Sequence, residues 1–120
     1  MNKRGRIEMM VCVPVTTEGL IDPRWGRANR VAITDVTGDR IGAWNEYDVG
    51  WDALHDAGTE GSHHARVARF LQEHYVQAVV ANHMGPPMVH MLERMGVKVH
   101  LGALGDAREA AIGAVGSQPE

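Results

Sequence analysis

VQAVVANHMGPPMVHMLERMGVKVHL, residues 76–101, changes its period twice, and those changes decide the fold. Residues 76–81 form a short apolar run of the kind a buried strand needs. Gly85-Pro86-Pro87 opens a helix, because proline's fixed φ and missing N–H suit a first turn. Met88, Met91, Leu92 and Met95 then recur at i, i+3, i+4 and i+7, which makes one apolar stripe. Gly96 is a natural C′ stop. Val97, Val99 and Leu101 alternate with Lys98 and His100, which predicts a second strand. Strand, helix and strand in this order imply a parallel crossover.

The rest of the chain is built outward from that unit. Val67, Phe70, Leu71 and His74 fall on one helical face, with Ser62 as the expected N-cap. Residues 45–61 are acidic, contain glycine and have no period, so they read as a loop. Residues 31–36 and 41–44 flank Thr37-Gly38-Asp39 and predict a β-hairpin. Residues 16–27 are a loop punctuated by Gly19, Pro23 and Gly26. Residues 9–14 (MMVCVP) are a buried strand closed by Pro14. Asp106 and Glu109 form a capping-box pattern ahead of Ala110, Ala111 and Ile112, so a short last helix follows. The expected order is β, β-hairpin, α, β, α, β, α. It predicts one α/β domain over 1–120, with its core at 7–115 and a flexible tail at 116–120. The sheet should be mixed, about five-stranded, and flanked by about three helices.

The 120 residues are 44% apolar, enough for a core. No apolar run approaches the roughly 18 residues that span a bilayer. The run at 7–15 is broken by Glu8 and Pro14, so it is no secretory signal, and a cytoplasmic protein is expected. The formal charge of −3 excludes a broad nucleic-acid surface. Seven His and seven Met stand beside a single Cys. His and Met are both transition-metal ligands, and Met is also core filler. One Cys forms no internal disulfide and cannot by itself hold an iron–sulfur cluster.

Placement narrows the candidates. His83, Met84 and Gly85 lie where a parallel strand ends and a helix begins, the edge at which open α/β sheets bind ligands. A helix N-terminus offers N–H groups and a positive dipole to an anion. In the alternative, His83 bonds a loop carbonyl and Met84 fills the core edge. His63 and His64 begin the preceding helix about 100° apart, so one of them faces the same edge at a time. Met88 adds a thioether, which suits a soft metal. Arg24 and Arg27 could hold an anion and Trp25 could cover it. In the alternative, Arg27 pairs with the acidic segment and Trp25 packs on the hairpin. His90 falls off the methionine stripe, and His55, His74 and His100 read as loop, helix-end and strand-surface residues. Cys12, inside a strand, reads as a small inert hydrophobe.

Three motifs carry a resemblance. Trp25-Gly26-Arg27-Ala28, Val80-Ala81-Asn82-His83-Met84-Gly85-Pro86 and Met95-Gly96-Val97-Lys98-Val99 resemble, in order, signatures of the dinitrogenase iron–molybdenum cofactor biosynthesis family (NifX/NafY-like). The resemblance spans roughly residues 7–115. It departs from the family at Trp25, usually Phe, and at Asn82, usually Gly. His63-His64 also stands where the family often has Gly. The resemblance implies a ribonuclease-H-like fold with a mixed five-stranded sheet. It implies a non-catalytic carrier for an iron–molybdenum cluster, an iron–sulfur precursor or a molybdenum–copper–sulfur cluster, handed on to a cofactor-assembly or acceptor protein.

With one Cys, the cluster would bring its own sulfides and bind through few protein bonds, across a homodimer if the chain pairs. The expected metal ligands are His83 first, then His63 or His64. Arg27, Met84, Gly85 and Met88 would surround the cluster. The rival reading is a metal-free regulatory module for a small organic anion or a partner's segment. A metal-dependent hydrolase is the weakest reading. Two-metal chemistry needs converging carboxylates, and the acidic residues Asp35, Asp39, Glu46, Asp48, Asp52, Asp56 and Glu60 supply none to the first strand's interior or to His83.

Overall fold

The apolar run at 9–14 becomes β1 (Glu8–Pro14), the middle strand of a five-stranded sheet, in the computed structural model, which describes residues 8–55 and 57–116. Its side chains alternate between two cores. Cys12 points into one, and Met9, Val11 and Val13 into the other. A strand covered on both faces has no reason to alternate polar with apolar, which is why the run is continuous.

β2 (Arg30–Thr37) pairs antiparallel with β1, and β3 (Arg40–Asp48) antiparallel with β2. On the other side, β4 (Ala78–Val80) and β5 (Lys98–His100) run parallel to β1, giving the order β3-β2-β1-β4-β5. α2 (Glu60–Glu73) and α3 (Pro86–Arg94) cover the Cys12 face through Val67, Leu71, Met88 and Leu92. α4 (Ala107–Gly116) covers the other face through Ala107, Ala111 and Val115. This is the mixed α/β sheet expected from the sequence. No helix among the described residues is long and apolar enough to cross a membrane.

The segment at 45–61 departs from the expected loop. β3 runs on to Asp48 because Arg30 ties its end, with Nε 2.9 Å from Asp48 Oδ1 and Nη1 3.3 Å from Glu46 Oε1. One turn of helix, α1 (Trp51–Leu54), follows and buries Trp51 to 1% exposure. It is the helix missing from the expected three. α2 then starts earlier than Ser62. Thr59 is the N-cap, accepting the Ser62 N–H at 3.0 Å, while the Ser62 hydroxyl accepts the Thr59 N–H at 3.1 Å. Ser62 therefore closes the box from N3 rather than opening the helix. Asp106 caps α4 as expected, accepting the Glu109 N–H at 2.9 Å. Asp56, residue 7 of the expected core and the expected tail beyond Gly116 lie outside the described residues.

β3 also carries a bulge. Thr34 and Val36 pair with Trp44 and Ile41, so β3 holds an extra residue between those rungs. Ile41 and Trp44 consequently both pack toward the α4 core. The displaced Ala43 N–H donates to Asp35 Oδ1 at 2.9 Å, and Thr34 Oγ1 donates to the Ala43 carbonyl at 2.6 Å.

α2 ends in a Schellman motif. The Val76 N–H bonds Leu71 O at 3.0 Å and the Tyr75 N–H bonds Gln72 O at 3.1 Å. The C′ residue must then be left-handed, and Tyr75 sits at φ 56° with 81% of its surface exposed. Tyr carries a Cβ penalty there that Gly does not. Tyr75→Gly should stabilise the fold by roughly 0.5–1 kcal/mol in urea unfolding. A loss of stability would show instead that the Tyr ring makes contacts worth more than the strain.

Candidate functional site

Between β1 and β4 the chain turns opposite ways: β1 leads to β2 on one side, and β4 leads through α3 to β5 on the other. Such a switch point leaves a crevice beyond the strands' carboxyl ends. Two loops meet there. The 16–27 loop, ending in a 3₁₀ turn (Trp25–Arg27), joins the β4–α3 loop through a parallel bridge between Arg24 and His83. Above them lies a cavity of about 310 Å³. Arg24, Trp25, Gly26 and Arg27 form one wall, and His83, Met84, Gly85, Pro87 and Met88 the opposite one. His55, Glu60, His63 and His64 close it from α1 and α2.

The expected residues therefore meet in one place, with different kinds of access. His83 is exposed at the mouth, while Met84 and Met88 are buried between the cavity and the core. Arg27 is exposed at the rim. Two residues of the acidic segment, Glu46 and Asp48, pair with Arg30. Arg24 Nε rests 3.4 Å from Asp22 Oδ1. His64 Nε2 lies 3.8 Å from Glu60 Oε2, a contact that gains charge only when the ring is protonated. Trp25 is no lid: it belongs to the core cluster that includes Val31 and Ile33 of the hairpin. It is buried, edge-on to Trp51 at 5.2 Å, and its Nε1 has no hydrogen-bond partner among the described residues.

His63 differs most from expectation. Its ring is 3% exposed, with Nε2 2.9 Å from the Gly26 carbonyl and Nδ1 2.9 Å from an Arg66 guanidinium N–H. An arginine only donates, so Nδ1 accepts and Nε2–H donates to Gly26. Burial, chiefly, holds the His63 pKa below the ordinary histidine value. The Gly26 carbonyl pulls it up, and the charges of His55, Arg66 and His64 push it down further. The neutral ring thus has both nitrogens engaged and no lone pair turned to the cavity.

The α3 N-terminus is also poorer in donors than a helix start usually is. Gly85 is the N-cap without a side-chain bond, and Pro86 and Pro87 have no N–H. The Val89 N–H is spent on Gly85 O at 3.1 Å. Of the first turn, only Met88 has an N–H to offer, so the side chains of Arg24 and Arg27 carry most of the positive character.

Sequence reasoning missed His55. It follows α1 inside the segment read as a loop, and its ring stands 5.0 Å from that of His63. The other histidines lie elsewhere. His90 is exposed on α3, and His74 packs on Phe70 and Tyr47 at 4.5 and 4.7 Å. His100 is in β5, where burial and then Lys98 lower its pKa. Cys12 is fully buried and its thiol pKa is pushed up by burial, so it presents no thiolate. Among the described residues no group of three or more His, Cys, Asp or Glu is arranged to hold a metal ion. Among the described residues Glu60 is the one carboxylate on the cavity wall.

The family model described as dinitrogenase iron-molybdenum cofactor matches residues 8–118. The chain belongs to that family. Solved structures agree on the fold. One is PH0822 (18% identity, 88% of this chain and 90% of that one, TM-score 0.69). Another is the apo form of the orange protein from Desulfovibrio gigas (21%, 88% and 84%, TM-score 0.65). A third is TM1290 from Thermotoga, solved by NMR and assigned to the DUF35 family (23%, 86% and 84%, TM-score 0.63). At these identities the likeness carries the fold alone. No curated protein matches the chain. Membership ties the chain to iron–molybdenum cofactor biosynthesis.

Proposed function

We propose that the protein is a non-catalytic cytoplasmic carrier that holds an anionic metal–sulfur cluster, of iron–molybdenum, iron–sulfur or molybdenum–copper type, and passes it to an assembly or acceptor protein. The observation that supports this most is the composition of the cavity wall: among the described residues, two arginines, four histidines and two thioethers against one carboxylate, with no thiolate. Such a wall favours a ligand that brings negative charge and its own sulfide.

His83 at the mouth is the leading metal ligand, with His64 second and His55 within the same wall. Arg27 neutralises the cargo's charge, the Gly85 backbone lets it approach α3, and Met84 and Met88 form a soft apolar floor. The mouth is open, so a second copy of the chain or the acceptor would cover the cargo from outside.

Anaerobic titration of untagged protein with tetrathiomolybdate, a sulfide-only molybdenum anion, tests this reading. His83→Ala should weaken uptake at least about tenfold, the worth of one lost charge-assisted contact, with an unchanged unfolding midpoint. Equal uptake by both proteins would refute the assignment of His83.

A second reading is a metal-free site for a small organic anion. It draws support from the lack of any three-residue metal group among the described residues. Protein that is metal-free after anaerobic purification and refuses reconstitution would favour it.

A further inference from the structure

We propose that His63 is a positioning residue rather than a ligand, set by Arg66, and that the two form a relay holding the Arg24–Arg27 turn in its anion-binding shape. The relay starts on α2. Arg66 Nη1 donates to His63 Nδ1 at 2.9 Å, one helical turn away, and also lies 3.5 Å from the Leu54 carbonyl at the end of α1. That donation fixes the tautomer, and His63 Nε2–H then donates to Gly26 O at 2.9 Å. Gly26 is the middle residue of the 3₁₀ turn, between Trp25 in the core and Arg27 at the cavity rim.

The turn's own bonds are few. The Arg27 N–H reaches Arg24 O at 3.0 Å and the Ala28 N–H reaches Trp25 O at 3.3 Å. Its flanks are tied by the Arg24 N–H on Asp22 Oδ1 at 3.0 Å, the Arg24–His83 bridge and the Trp51 N–H on Ala28 O at 3.0 Å, and His63 adds the bond that reaches its centre from α2. The histidine sits close enough that a Cβ on Gly26 would lie 4.0 Å from His63 Nε2. Arg66 also lines the adjoining groove with Tyr47 and Phe70, so the relay runs from the outer surface to the cavity. A ligand role would need one ring nitrogen freed, at the expense of either Arg66 or Gly26.

The effect on affinity rests on the carrier reading, whereas the positioning itself is read in ligand-free protein. Four proteins decide it: wild type, His63→Leu, His63→Gln and Arg66→Leu. Gln keeps an N–H for Gly26 and a carbonyl for Arg66, whereas Leu keeps neither. In ligand-free protein, ¹⁵N NMR should find His63 protonated on Nε2. Hydrogen exchange at the Arg27 and Ala28 amides should rise about tenfold in both Leu variants and stay near wild type in His63→Gln. Tetrathiomolybdate affinity should follow the same order. The salt dependence of binding should be unchanged in His63→Leu, since a neutral ring contributes no charge.

Metal-shifted nitrogen resonances of His63 on loading, or a Gln variant as impaired as the Leu variant, would make His63 a ligand and overturn the proposal. Unaltered exchange in both Leu variants would also overturn it. A wild-type protein that binds no tetrathiomolybdate fails the carrier reading, and the tautomer and exchange data still decide the relay.

Discussion

Trp51→Ala should cost roughly 3–5 kcal/mol of stability, the range for removing a buried aromatic ring from a packed site. The ring is 1% exposed and meets Trp25, Phe70 and His63 edge-on at 5.2, 5.8 and 6.4 Å. No neighbour can collapse cheaply into the space, because Trp25 is held by the 3₁₀ turn and Phe70 and His63 by α2. A domain of this kind has about 5–15 kcal/mol in total, so the variant should be measurably unfolded at 37 °C or close to it. Chemical denaturation followed by circular dichroism gives the number. Trp51→Phe should recover more than half of the loss. A cost below 1 kcal/mol would mean that the aromatic cluster under the site is not structural.

The second large effect is on binding. Arg27→Glu should weaken tetrathiomolybdate binding about a hundredfold at low salt. A unit charge pair at about 4 Å is worth roughly 1 kcal/mol in water and 4 at an effective dielectric of 20. Reversing the rim charge against a dianion counts that interaction several times, and exposure of Arg27 reduces it to the stated size. Arg27→Gln should lose about tenfold. Near 1 M salt the gap between wild type and Arg27→Glu should shrink markedly, since the screening length falls to about 3 Å. Binding by Arg27→Glu within threefold of wild type would remove Arg27 from the site.

Both predictions stand on features of unequal legibility. The β4–α3–β5 unit could be read residue by residue, because one sheet covered on both faces and one amphipathic helix leave clean periods. β3 was legible as a hairpin strand at 41–44 but not in its extension to Asp48, where Asn45, Glu46 and Asp48 are exposed and give no apolar period. α1 was hidden for a different reason. A single helical turn has too few residues to show a period, and Trp51 is buried by neighbours far away in sequence.

The gathering of His63, His64, His83, Met84 and Met88 at one edge followed from strand order alone. What His63 does there did not, because nothing in a string of letters tells that Arg66 and Gly26 take its two nitrogens. The donor-poor start of α3 was visible in Pro86-Pro87 all along, but those residues signal a helix start so strongly that their missing N–H groups are easy to overlook.

The bulge in β3 has a bearing on how two such chains could associate. β3 is a nine-residue strand on the open margin of the sheet, long enough to recruit a neighbour's backbone. At its centre the Ala43 amide is turned back onto Asp35. The same carboxylate occupies the space that any side chain at Gly42 would need. An incoming strand would find a kink where it needs a straight row of donors and acceptors, and natural sheets use such kinks to stay single. Self-association through sheet extension is thereby discouraged at this margin, and a homodimer formed around a shared cargo would have to be built from the loops and helix ends at the sheet's carboxyl rim.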